Sequence, residues 1–207
     1  MKFYLLGVSL VTLLLAHAET SYFETFAMRQ DMEHAELKIE ASQRQLKDRD
    51  WDYQHYDVGF KFDSVQDWSV AANLRLIYRK DDDGKWDVEK RPYIQATKSF
   101  ENTYGKLSLR NRYEYRVRHN STESKRVRTR VELSPEYKIF NIKGFISSEV
   151  FYDFDESQAT KNRLTLGLKL PKIYNTNSKL YYRHTQDSDD AVWLASNSLG
   201  FKIECKF

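Results

Sequence analysis

Between residues 104 and 133 the chain carries a polar side chain at every second position. Lys106, Ser108, Arg110, Arg112, Glu114, Arg116 and Arg118 alternate with Leu107, Leu109, Asn111, Tyr113, Tyr115 and Val117. After a polar break at 119–124 the pattern resumes, with Arg126, Arg128, Arg130 and Glu132 set against Val127, Thr129, Val131 and Leu133. Guanidinium groups are permanently charged forks that grip carboxylates and other oxyanions through paired hydrogen bonds. Two chemistries fit such a set. Arginines and carboxylates can lock onto one another, or an excess of arginine can attract and pass anions. Both require the side chains to share a surface. Strict period-two alternation supplies one: a β-strand with an apolar face and a charged face.

The same period runs through most of the chain. Tyr56, Val58, Phe60 and Phe62 share one face, and so do Trp68, Val70, Leu74 and Leu76. Ile94 and Ala96 oppose Arg91 and Tyr93; Ile146, Val150 and Tyr152 oppose Ser147, Glu149 and Asp153. Leu164, Leu166 and Leu168 oppose Arg163, Thr165 and Gly167, and Leu180 and Tyr182 oppose Tyr181 and Arg183. The charged face thereby gains Arg75, Arg91, Glu149, Arg163 and Arg183, with Asp57, Asp153 and Glu204 beside them. Connections at 80–85, 119–124, 155–160 and 186–191 are almost wholly polar, whereas the intervening ones are shorter or partly apolar. This is the pattern of an up-and-down antiparallel meander with two distinct ends. Counting ends makes 33–42 the first strand and gives about ten strands. The barrel domain is then 33–207, led by a segment at 19–32. Met32, Ala35, Ile39 and Leu46 also keep a helical spacing, so a helical prefix is the alternative there.

Composition narrows the class. Lys2, an apolar run and Ala16-His17-Ala18 read as a secretory signal peptide over 1–18, because the run is too short to span a bilayer as a helix. Cys205 is the single cysteine, so no internal disulfide forms. The formal charge of +3 falls to +2 without Lys2, too small a bias to imply a nucleic-acid partner. Seven glycines and three prolines beside fourteen tyrosines and twelve phenylalanines fit many strands rather than disorder.

Alternation alone does not say which face points inward. A soluble barrel hides its apolar face and a membrane barrel hides its polar one. Four features favour the membrane arrangement. The strands are long enough to cross hydrocarbon at a tilt. Aromatic residues gather near strand ends (Tyr104, Tyr152, Phe154, Tyr181, Tyr182, Trp193), as interfacial girdles do. The charged face mixes signs at neighbouring positions. The chain also closes on an alternating apolar run through Phe201 and Ile203 to Phe207, which looks like the terminal signal read by the barrel-assembly machinery of bacterial outer membranes.

The order of the stretches 107–116, 127–133, 148–153, 162–167 and 180–183 resembles the bacterial family catalogued as domain of unknown function 2490, over about 53–207. That resemblance implies an outer-membrane β-barrel without an assigned activity. The arginine ladders and Arg91-Pro92-Tyr93 are more loosely similar to the oligogalacturonate-specific small porins.

On this reading the arginines line a lumen. A plug of paired charges is the first role expected, since few strands leave little room inside. The second is a narrow path for small anionic solutes. The outward partners are outer-membrane lipid and lipopolysaccharide. No enzyme is expected, because His119 with Ser121, and His184 with Asp187, are close pairs in sequence without a third member. No cofactor is implied. His34, His55, His119 and His184 lack a metal-ligand spacing, and the acidic runs 81–83 and 187–190 read as solvated loops. The competing classes are a soluble periplasmic binding barrel and an outer-rim hydrolase.

Overall fold

Alternation becomes twelve strands, and no helix, among the residues described by the computed structural model: 20–46, 51–63, 67–81, 83–118, 123–189 and 192–207. The expected signal peptide, His119 and Ser121 lie outside them. In chain order the strands are β1 (Thr20–Asp31), β2 (Glu36–Leu46), β3 (Trp51–Asp63), β4 (Trp68–Lys80), β5 (Trp86–Asn102) and β6 (Gly105–Arg118). There follow β7 (Glu123–Pro135), β8 (Lys138–Ile139), β9 (Ile142–Asp153), β10 (Gln158–Lys169), β11 (Thr176–Asp189) and β12 (Val192–Lys206). Each wall strand is hydrogen-bonded to its neighbour in sequence, with β9 also pairing with β10, so the sheet closes on itself as an up-and-down barrel. The two-residue β8 pairs only with β9, across Phe140 and Asn141 at positive φ, and stands outside the wall.

The wall therefore has eleven strands, one more than the count from sequence, because the lead segment at 19–32 supplies β1. This strand pairs antiparallel with β2 and parallel with β12, from Thr20↔Asn197 to Arg29↔Lys206. An odd count makes the closing seam parallel, since first and last strands run the same way. Residues 36–46 are strand and not a helical prefix. The mainly polar connections all fall at one end of the barrel, and the C-terminus falls at the other.

The two faces are sorted by polarity, with the polar side inward. On β3, Tyr56, Val58, Phe60 and Phe62 point out and are 44–51% exposed. Leu74, Val131, Leu164 and Leu168 are likewise outward on their strands. Asp57, Glu89, Arg112, Glu114, Arg128 and Glu149 are buried on the opposite side. Where an outward position is polar, it finds a neighbour across the strand pair: Thr129 Oγ1 donates to Asn111 Oδ1 at 2.8 Å.

One sector of the wall packs differently. At a single level of the register, Phe145, Gly167, Tyr181, Gly200 and Phe23 follow one another across β9, β10, β11, β12 and β1. A Cβ at Gly167 would lie 2.4 Å from the Phe145 ring, and one at Gly200 would lie 2.1 Å from the Tyr181 ring. The glycines are therefore the floor on which the inward aromatic rings lie. Tyr181 belongs to this inner row, so its expected place in an outer aromatic girdle is corrected.

Candidate functional site

Side chains at alternate positions of every wall strand converge on the lumen. Across β6 and β7 the register sets Arg110 opposite Arg130 and Arg112 opposite Arg128. Like charges directly opposite repel, so the pairs need carboxylates from elsewhere. Glu114 is fully buried and accepts Arg128 Nη1 at 2.7 Å and Arg126 Nη2 at 2.6 Å, with Arg112 Nη1 at 3.5 Å and Arg91 Nη1 at 3.6 Å. Glu149, from β9, takes both contacts of Arg128 Nη2 at 3.0 Å, Arg110 Nη2 at 2.7 Å and Arg163 Nη1 at 3.4 Å. Arg128 thus bridges two carboxylates. Its guanidinium also lies 4.5 Å from the Phe151 ring centre, a cation–π contact.

Further paired carboxylates flank this knot. Glu89 accepts Arg91 Nε at 2.7 Å and Arg116 Nε at 3.1 Å, and Arg116 Nη1 also lies 3.6 Å from Asp153. Asp57 accepts Arg75 Nε and the Tyr93 hydroxyl, each at 2.7 Å, and Asn73 Nδ2 at 3.0 Å. Glu40 takes Lys202 Nζ at 2.7 Å and Lys38 Nζ at 2.8 Å, with His55 Nε2 at 3.3 Å. Toward the C-terminal end, Glu132 is bonded by Arg130 and by Lys169 Nζ, the latter at 3.0 Å. Glu204 there faces Arg29 at 3.0 Å.

The structure places every charged residue singled out in the sequence (Arg75, Arg91, Arg110, Arg112, Glu114, Arg116, Arg126, Arg128, Arg130, Glu132, Glu149, Arg163 and Arg183) on the inward side. All but Arg183 join the ion-pair network. The lumen set expected from sequence lacked Glu40 and Glu89, and also His55 and Lys202, although the alternation puts the last two on the polar faces of their strands. Glu40 had a signal, since Lys38, Glu40 and Ser42 alternate with Leu37, Ile39 and Ala41. Of the terminal trio, Phe201 and Ile203 are half-buried in β12, while Phe207 is exposed and its N–H donates to Arg29 O at 2.8 Å.

The side chains do not fill the barrel. A cavity of about 670 Å³ remains along the axis, from the level of Glu156 and Ser188 at the polar-loop end to that of Lys179 and Lys202 nearer the other. An interior filled by paired charges was the first expectation, and this is a departure from it. Eleven strands enclose more space than the eight that side chains just fill. The lining is unbalanced: seventeen lysines and arginines against five carboxylates, Glu40, Glu149, Asp153, Glu156 and Asp187. Several of the other carboxylates, Glu114 among them, sit behind the arginines they neutralise. Buried Nε atoms of Arg110, Arg128, Arg163 and Arg183 have no hydrogen-bond partner. Surplus donors and surplus positive charge facing a void can hold oxyanions.

The other candidates do not assemble. His184 and Asp187 point to opposite faces; His184 Nδ1 contacts Asn197 Oδ1 at 2.9 Å and Asp187 pairs with Lys161. Among the described residues no three His, Cys, Asp or Glu side chains gather as metal ligands.

A family model described as a protein of unknown function, DUF2490, matches residues 21–194. The chain belongs to the DUF2490 family. The match begins inside β1 and ends three residues into β12, so it takes in the wall of this DUF2490 barrel from β1 through β11 but stops before the β12 side of the seam. No curated protein and no solved structure matches the chain.

Proposed function

We propose that this DUF2490 barrel sits in the bacterial outer membrane and offers a narrow, anion-favouring passage through its lumen. The observation that carries the reading is the inversion of its faces, apolar outward and charged inward. Only a closed barrel or a helix satisfies its backbone in hydrocarbon. Wall strands of 11–17 residues meet or exceed the roughly 9–11 that a tilted crossing needs. A soluble binding barrel would carry the opposite arrangement, with an apolar pocket and a charged exterior. Lipid and lipopolysaccharide are then the outward partners, and the alternating end through Phe201, Ile203 and Phe207 is the segment offered to the assembly machinery.

The ion-pair knots hold the wall rigid, and the cationic excess around the cavity sets its potential. Small anions are favoured because like charge excludes cations from a confined space. On this reading the lumen serves as a passage. Cell fractionation tests the location. The protein is expected in the outer-membrane fraction and released only by detergent; recovery in the soluble periplasmic fraction overturns the reading.

A further inference from the structure

Arg183 stands apart from the arginines of the ion-pair knots. Among the described residues it has no carboxylate within ion-pair distance. It is held instead by two rings: its guanidinium carbon lies 4.8 Å from the Tyr181 ring centre and 5.3 Å from that of Phe23. Both rings are fixed by the wall, Tyr181 on the bare backbone of Gly200 and Phe23 beside it in the seam. Stacking orients a guanidinium without using its N–H donors, which stay available at the edge of the plane. Its Nε is buried without a partner.

The neighbours of Arg183 are neutral hydroxyl residues. In the register it stands between Thr165 on β10 and Ser198 on β12, with Ser147 beyond Thr165 and Ser21 beyond Ser198. Ser147 and Thr165 line the cavity together with Arg163 and Arg183. Arg163 contributes a second guanidinium whose Nε is unpartnered and whose one carboxylate contact, to Glu149, is long at 3.4 Å. A desolvated cation without a counter-charge is costly. The sector is thus short of one negative charge and rich in donors.

We infer that Arg183, with Arg163 and the hydroxyls of Thr165 and Ser147, forms an oxyanion-binding site in the β9–β12 sector of the lumen, where a carboxylate or phosphate group of a small solute supplies the missing charge. The site deepens the passage reading: it is where a permeating anion pauses. The aromatic row below it gives a flat apolar surface to the remainder of the solute.

Binding and conduction are measured separately so that each reading can fail alone. Calorimetric titration of the full-length refolded barrel in detergent uses inorganic phosphate and succinate as probes, with chloride as the comparison. One of the two oxyanions is expected to bind more tightly than chloride, and which one identifies the group the solute carries. Arg183→Gln is expected to weaken that binding at least about tenfold, the loss of one bidentate charged contact, whereas Lys90→Gln, which removes an equal charge from the outer face, leaves it unchanged. Thr165→Asp keeps Arg183 and fills the cavity with a resident carboxylate, so it should abolish binding in a barrel that still folds. Wild-type protein that binds neither oxyanion more tightly than chloride overturns the site, as does undiminished binding in Thr165→Asp. Binding that is lost in these variants while the wild type passes no current sustains the site and sinks the passage.

Discussion

Glu114→Gln is expected to lower the stability of the refolded barrel by about 3–5 kcal/mol, the cost of stranding buried charge when one member of a network is removed. Glu114 is fully buried and takes two close hydrogen-bonded contacts, from Arg126 and Arg128, with Arg91 and Arg112 behind them. The amide keeps the shape and one acceptor oxygen but removes the charge that holds four guanidiniums near one another. Because Arg128 also reaches Glu149, the loss should propagate to that second carboxylate. Urea unfolding in lipid vesicles, followed by tryptophan fluorescence, measures it. A change below about 1 kcal/mol, the scale of an exposed ion pair, would mean that water screens the network.

Leu164→Arg carries the second large effect. Leu164 points outward from the middle of β10, and on the proposed membrane reading an arginine facing lipid near the midplane costs about 2–4 kcal/mol. Thr165→Asp, one residue along, turns its charge into a cavity lined mainly by lysines and arginines, and is expected to leave stability unchanged or raise it. The same unfolding assay reads both. If Leu164→Arg is harmless and Thr165→Asp is severe, the outward face is solvated and the membrane assignment fails.

The period-two pattern made most of this architecture legible, because the two faces are chemical opposites on β3, β4, β6, β7, β9 and β10. It failed on β1, where the signs are partly exchanged. Phe23 and Ala27 face inward while Glu24 faces outward, bonded by Gln43 Nε2 at 2.9 Å. Phe23 can turn inward because Gly200 leaves room beside it, a fact about a strand more than a hundred residues away. Glu89 lies in the first part of β5, ahead of the Arg91–Thr97 alternation that marks this strand in the sequence. Pro92 sits where the β5–β6 pairing skips from Lys90↔Val117 to Tyr93↔Glu114, at a point where no N–H is required. Which charges would lie inward on one surface could be read from the chain. Which carboxylate each arginine would meet could not: Arg110 and Glu149 belong to strands separated by β7, and only the curvature of the closed wall brings them to 2.7 Å. The residual cavity was likewise hidden, since the eleventh strand that widens the barrel was the one its pattern concealed.

The most direct test of a cation-lined passage is the reversal potential of the refolded protein in a planar bilayer separating unequal KCl solutions. The lining predicts a sustained current whose reversal potential lies on the chloride side of zero, and a smaller displacement for Arg163→Gln, which removes one lining charge with a single long carboxylate contact. No current above that of the bare bilayer, or a reversal potential on the potassium side, would contradict the account.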